Sequence, residues 1–307
     1  MSRLLSVGSG PYAPPAPARE LTPVSADGAR LHVEVHGPDG APAVVLAHGW
    51  TCSTAFWAAQ IRDLAADHRV IAYDQRGHGR SPASPACSTD TLADDLEAVL
   101  EAALAPGEQA VIAGHSMGGM AVMAASGRTA FREHTAAVLL CSTGSSRLVA
   151  ASTVVPLRPG RLRTWLTRRI LGSRAPLGPV TPLARRILKY GTMGPGSAPQ
   201  LVEACARIVH ACPRTVRHTW SHVLDLLDLD QGVRELSVPT AVVIGTADRL
   251  TPPVQARALA QALPHCTGLT ELPGIGHMTP VEAPELVTGK IRELVHAHIQ
   301  VVSEESA

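Results

Sequence analysis

Short, unbroken apolar runs recur along the first half of the chain: PAVVLA at 42–47, RVIAY at 69–73, AVIA at 110–113 and AAVLL at 136–140. Continuous runs of this length predict strands buried on both faces rather than half-exposed ones. Stretches with helical spacing separate them, at about 55–66, 89–104 and 117–126. Strand–helix alternation implies a parallel sheet covered by helices on both faces. The alternation stops near Ser145 and resumes with TAVVIG at 240–245, then a helix at about 252–263, a strand at 268–272 and a helix at 281–299. Ahead of the first run, two strand-like segments around 20–25 and 30–36 flank Asp27-Gly28, a hairpin signal.

The gap from 145 to 235 reads as helices broken by Pro and Gly, at roughly 159–171, 182–190, 198–211 and 213–228. An insertion at this point of an open α/β sheet would sit over the carboxyl ends of the strands, where ligands bind. The expected organisation is a flexible Pro- and Gly-rich arm over 1–19, an α/β core over 20–144 and 236–300, a helical cap over 145–235 and a C-terminal tail over 301–307.

Composition changes this picture in three places. With 307 residues and 45% hydrophobic content, one large core is affordable and disorder is not the default. The net charge of +1 gives no reason to expect nucleic acid. That near-neutrality hides an asymmetry: 145–235 holds 14 Lys and Arg against 5 Asp and Glu, so the remainder is acidic. Solvated helix faces account for such a basic segment, as would an anionic substrate, an acidic carrier partner or a membrane surface. Six cysteines (52, 87, 141, 205, 212 and 266) form no C-x-x-C pair, so a metal site finds no support, and scattered thiols suit a reducing, cytoplasmic setting. No run of 18 apolar residues and no signal-peptide pattern is present.

One motif carries chemistry on its own. AVIAGHSMGGMAVMAA is a strand, then Gly114-His115-Ser116-Met117-Gly118, then a helix of small residues. A serine on such a strand-to-helix turn is pushed out of the sheet, and side chains two positions either side of it would clash, which Gly114 and Gly118 avoid. A serine hydroxyl needs a general base. Of 14 histidines, His277 stands out, in PGIGHM just after the last strand. Its orienting acid is expected after a strand too. Asp248 follows AVVIG, whereas CSTGSS at 141–146 holds no carboxylate, and Asp225, Asp228 and Asp230 fall at the end of the inserted helices. After PAVVLA comes His48-Gly49-Trp50. The backbone amides of Trp50 and Met117 are the expected donors to a substrate oxyanion, with the Trp50 side chain as a candidate pocket wall and His48 as a structural histidine.

HGW at 48–50, DQRGHGRS at 74–81, GHSMGG at 114–119, GTADRLTPP at 245–253 and GIGHMTPVEAPE at 274–285 together resemble the α/β-hydrolase superfamily, in its small, capped, serine-nucleophile members. The resemblance implies a mostly parallel eight-stranded sheet flanked by helices, a Ser116–His277–Asp248 triad and an acyl-enzyme route without a cofactor or metal. It implies hydrolysis of a carboxylic ester or related acyl bond of a small molecule. Thioester hydrolysis or acyl transfer, C–C bond hydrolysis and cofactor-free perhydrolysis use the same triad. A ligand-binding protein on the hydrolase fold is the alternative outside enzymes. The Asp74 to Ser81 turn matches a structural turn of the family.

Overall fold

The computed structural model describes residues 13–299, so the first twelve residues of the expected arm and the tail over 301–307 lie outside it. Eight strands form one sheet: β1 (Arg19–Leu21), β2 (His32–His36), β3 (Ala43–Ala47), β4 (Arg69–Asp74), β5 (Ala110–His115), β6 (Thr135–Cys141), β7 (Thr240–Gly245) and β8 (Cys266–Leu272). Their order is β1-β2-β4-β3-β5-β6-β7-β8, antiparallel from β1 to β4 and parallel from there to β8. Every residue of β3, β4, β5 and β7 is buried, as their apolar runs require. Gly28, at φ +85°, makes the expected turn between β1 and β2, and strand pairing begins at Arg19.

The core helices are α1 (Ala58–Leu64), α2 (Thr89–Ala103), α3 (Met117–Ala125) and α4 (Thr129–His134). α2 starts at Ser88 through a reciprocal capping pair with Thr91 and buries Leu92, Leu96, Val99 and Leu100 on one face. Between β6 and β7 come α5 (Leu148–Ala151), α6 (Arg161–Leu171), α7 (Pro182–Thr192), α8 (Pro199–Ala211), α9 (Arg214–Asp225) and α10 (Asp230–Glu235). Four of these fall where Pro and Gly spacing puts them. The one-turn α5 and short α10 leave no periodic trace. The chain closes with α11 (Pro253–Ala262), α12 (Thr279–Glu282) and α13 (Pro284–His298). The single helix expected over 281–299 is two, because the proline at 284 disfavours helical geometry at Ala283, which sits at φ −137°, ψ 59°.

This topology places the site. After β3 the chain crosses to β4 on one side and then returns to β5 on the other, so β3 and β5 flank the point where the winding reverses, the usual position of a ligand crevice. Ala47 pairs with Gly114, so the loops carrying Gly49-Trp50 and Ser116 leave the sheet at the same level. The loops after β7 and β8, carrying Asp248 and His277, leave the same edge two and three strands away.

Candidate active site

Ser116 sits at φ 51°, ψ −116°, a conformation unusual for a side-chain-bearing residue, and caps the start of α3. Neighbouring backbone enforces it. Ser116 N donates to Cys141 O (3.0 Å) and Ser116 O accepts from Thr143 Oγ1 (2.8 Å). A Cβ at Gly114 would stand 2.6 Å from Gly119 N, and one at Gly118 would run into Ala47 O. The glycines are there because two backbones must pass within contact, as the motif requires.

His277 is buried, and its Nδ1 lies 2.8 Å from Asp248 Oδ2. A carboxylate only accepts, so the imidazole proton is on Nδ1 and the Nε2 lone pair is left for another donor. Asp248 Oδ1 accepts the amides of Leu250 (2.8 Å) and Thr251 (2.9 Å), which fixes the carboxylate without drawing on the oxygen that serves His277. Thr251 Oγ1 stands 2.8 Å from Asp248 Oδ2, 2.9 Å from Ser142 O and 3.1 Å from His277 Nδ1. This threonine escapes the motif reading. Its only trace is the Asp-x-x-Thr spacing of an Asx-type turn. The rival carboxylates are engaged elsewhere: Asp225 pairs with Arg168 (2.7 Å), and Asp230 accepts from Ser145 Oγ (2.6 Å).

Ser116 and His277 wall one cavity of about 620 Å³, together with Trp50 and with apolar side chains of the inserted helices such as Leu148, Ile170 and Leu224. Among the described residues no hydrogen bond joins Ser116 Oγ to His277 Nε2; such contacts are commonly long without substrate and tighten with it.

Two neutral histidines clamp the loop around Trp50. Gln75 N donates to His48 Nε2 (3.1 Å), so His48 Nδ1 carries the proton and donates to Gly49 O (2.8 Å). Thr51 N donates to His78 Nε2 (3.2 Å), and His78 Nδ1 then donates to Arg76 O (3.1 Å). Burial pushes the two imidazoles down to about 3 and about 4, so both stay uncharged at neutral pH. Gly49 and Thr51 are thus held on either side of Trp50, whose amide, like that of Met117, has no hydrogen-bond partner among the described residues. A Cβ at Gly49 would be 3.1 Å from Ser116 Cβ, which measures how closely this loop approaches the serine. The Trp50 ring lines the cavity, and its Nε1 donates to Arg217 O of α9 (3.1 Å).

His115 packs beside His277, ring centres 4.9 Å apart, with its Nε2 2.9 Å from His277 O. Burial, then the neighbouring His277, holds it well below the ordinary histidine range. The DQRGHGRS turn is structural: Asp74 accepts the amides of Thr54 (2.8 Å) and Arg80 (2.7 Å), and Arg76 pairs with buried Asp95 (2.5 Å). All six cysteines are unpaired, and no group of metal-binding side chains occurs among the described residues.

Fold and site together define an α/β-type hydrolase. The sequence profile of the alpha/beta hydrolase family matches residues 44–289, and the chain belongs to that family. Over 234 residues it is 31% identical to a pimeloyl-[acyl-carrier protein] methyl ester esterase of Methylococcus capsulatus, covering 75% of this chain and 85% of that protein. A 96-residue stretch is 33% identical to 3-oxoadipate enol-lactonase 1 of Acinetobacter baylyi; it covers 31% of this chain and 35% of the relative, about a third of its length. The fold is shared with the crystal structure of the esterase RhEst1 from Rhodococcus sp. ECU1013, with a TM-score of 0.74 at 23% identity over 91% of this chain and 99% of that one.

Proposed function

We propose that the protein is a serine hydrolase that cleaves carboxylic esters of apolar acyl groups through an acyl-enzyme. The observation that carries this is the 2.8 Å contact of His277 Nδ1 with Asp248 Oδ2: with Nδ1–H committed to that carboxylate, Nε2 is free to act as the base in the cavity that His277 and Ser116 both line. His277 takes the Ser116 proton as Oγ attacks the ester carbonyl. The amides of Trp50 and Met117 receive the oxyanion, at the N-terminus of α3 where negative charge is favoured. His277 then protonates the leaving alcohol and activates water to release the acid. The helices over 145–235 act as a cap: they complete the cavity and, with its mostly aliphatic lining, select apolar acyl groups. The ester-cleaving relative supports a carboxylic ester over the other acyl bonds.

The test is turnover of p-nitrophenyl butyrate by Ser116→Ala and His277→Ala. Each is expected to lose about 10⁴-fold or more in kcat with an unchanged melting temperature. Either variant retaining a tenth of the wild-type rate contradicts the assignment.

A further inference from the structure

Large apolar side chains are exposed on α6 and α7. Leu162, Trp165 and Ile170 are 63%, 52% and 54% exposed, and Leu183, Ile187 and Tyr190 are 66%, 63% and 42% exposed. α7 buries none of its residues. Leu183, Ile187 and Tyr190 follow one another at i, i+4 and i+7 and form one stripe, the kind of face a helix normally turns to a core. Here it is exposed, with Ile187 also lining the cavity and the Arg249 guanidinium 4.5 Å from the Tyr190 ring centre.

This surface is also strongly cationic. From Arg147 to Val202 the chain carries ten Lys and Arg and no Asp or Glu. Arg168 pairs with Asp225 and Arg185 with Glu203, both from outside that stretch. Arg158, Arg161, Arg169, Arg174 and Arg186 have no carboxylate partner among the described residues. The Arg169 guanidinium lies 5.6 Å from the Trp165 ring centre. The apolar patch is continuous with the cavity, because exposed Ile170, Leu177 and Ile187 also line it beside Ser116. A cleft of about 510 Å³ adjoins that cavity, lined by Arg169, Arg174, His218 and His222 among others and by the Arg168–Asp225 pair.

We propose that the α6–α7 face docks on the surface of an anionic phospholipid bilayer, so that the cavity mouth meets the membrane and takes amphiphilic esters from it. Apolar side chains with Trp and Tyr would sit among the headgroups while the unpaired arginines meet lipid phosphates, the arrangement of an interfacial helix. No helix among the described residues is long and apolar enough to cross a membrane, and the contact proposed is with the membrane surface. Docking stands on its own. The delivery of esters to Ser116 rests on the serine-esterase reading.

Flotation with phosphatidylglycerol-containing vesicles tests it, beside phosphatidylcholine vesicles alone. Two triple variants accompany the wild type: Leu162→Glu/Trp165→Glu/Leu183→Glu and Arg158→Glu/Arg161→Glu/Arg186→Glu, none of whose residues lines the cavity. The wild type and Ser116→Ala should float with anionic vesicles, at least tenfold more tightly than with neutral ones. Each triple variant should lose tenfold or more while cleaving p-nitrophenyl butyrate at the wild-type rate. A wild type that stays unbound, or triple variants that float equally well, overturns docking. So does light scattering that finds a wild-type dimer and a monomeric Leu162/Trp165/Leu183 variant, which would assign the face to a second copy. Binding of an acidic acyl carrier protein with no binding of vesicles also overturns it. If Ser116→Ala floats but the wild type cleaves no short ester, docking holds and the catalytic reading alone fails.

Discussion

In the proposed mechanism the position of one proton on His277 decides the chemistry. Asp248 Oδ2 at 2.8 Å fixes the proton on Nδ1 and leaves Nε2 basic. An asparagine at 248 offers an amide hydrogen instead, which favours the tautomer with the proton on Nε2 and removes the base. Asp248→Asn is therefore expected to lower kcat by about 10⁴-fold with little change in KM, read by steady-state kinetics on a short ester. A near-full rate would transfer the acid role to another residue. Ser116, His277 and Asp248 are legible in the sequence as candidates because each lies in a short motif in the segment that follows a strand. His48 is readable as a structural histidine of its loop, but its partner is not, and neither are the roles of Thr251 and His78, because these depend on contacts: Thr251 on its own turn, His48 and His78 on amides 27 residues away.

Among elements, the β5–α3 turn is the most tightly determined. A methyl group at Gly118 would meet Ala47 O and C, backbone atoms of a fully buried strand and not the end of a flexible side chain. Gly118→Ala is expected to destabilise the fold by about 1–3 kcal/mol and lower the melting temperature by several degrees. Gly289 is its counterpart within α13: a Cβ there meets nothing within 4 Å. Gly289→Ala should raise stability by about 0.5–1 kcal/mol through helix propensity alone. Equal effects in thermal melts would contradict the packing described for the turn. The buried strands are readable from sequence because burial on both faces demands continuous apolar runs. The inserted helices are readable as helices from Pro and Gly spacing. Which way they face is not, since a stripe such as Leu183-Ile187-Tyr190 has the same period whether it points to a core or to solvent.

Across the whole molecule, buried neutral histidines set the response to acid. His48 and His78 protonate at about 3 and about 4 in the fold but at their ordinary 6.5 when unfolded, and His115 is also held low. Below pH 6.5 the unfolded chain therefore binds more protons, and each such group removes about 1.4 kcal/mol of stability per pH unit until its folded value is reached. Asp74 acts in the opposite sense, since burial raises it to about 6 from 3.8, and burial raises Asp95 and Glu97 in the same direction, but these carboxyls titrate below the pH at which the histidines begin to cost stability. The melting temperature should be level above pH 7 and fall steadily from pH 6.5 to 4. A flat profile over that interval would show that these imidazoles charge freely within the fold. The overall topology was readable because strand–helix alternation admits few arrangements. The uneven charge is readable too, as 14 basic residues against 5 acidic ones over 145–235, but which arginines lack carboxylate partners is not, because only the folded surface shows it.

The proposed chemistry depends first on Ser116 as the nucleophile. Labelling with a fluorophosphonate, followed by mass spectrometry of the modified peptide, identifies it directly. Stoichiometric modification of Ser116, abolished in Ser116→Ala and strongly slowed in His277→Ala, is the predicted result. A label on any other residue, or none on a protein that hydrolyses esters, would contradict it.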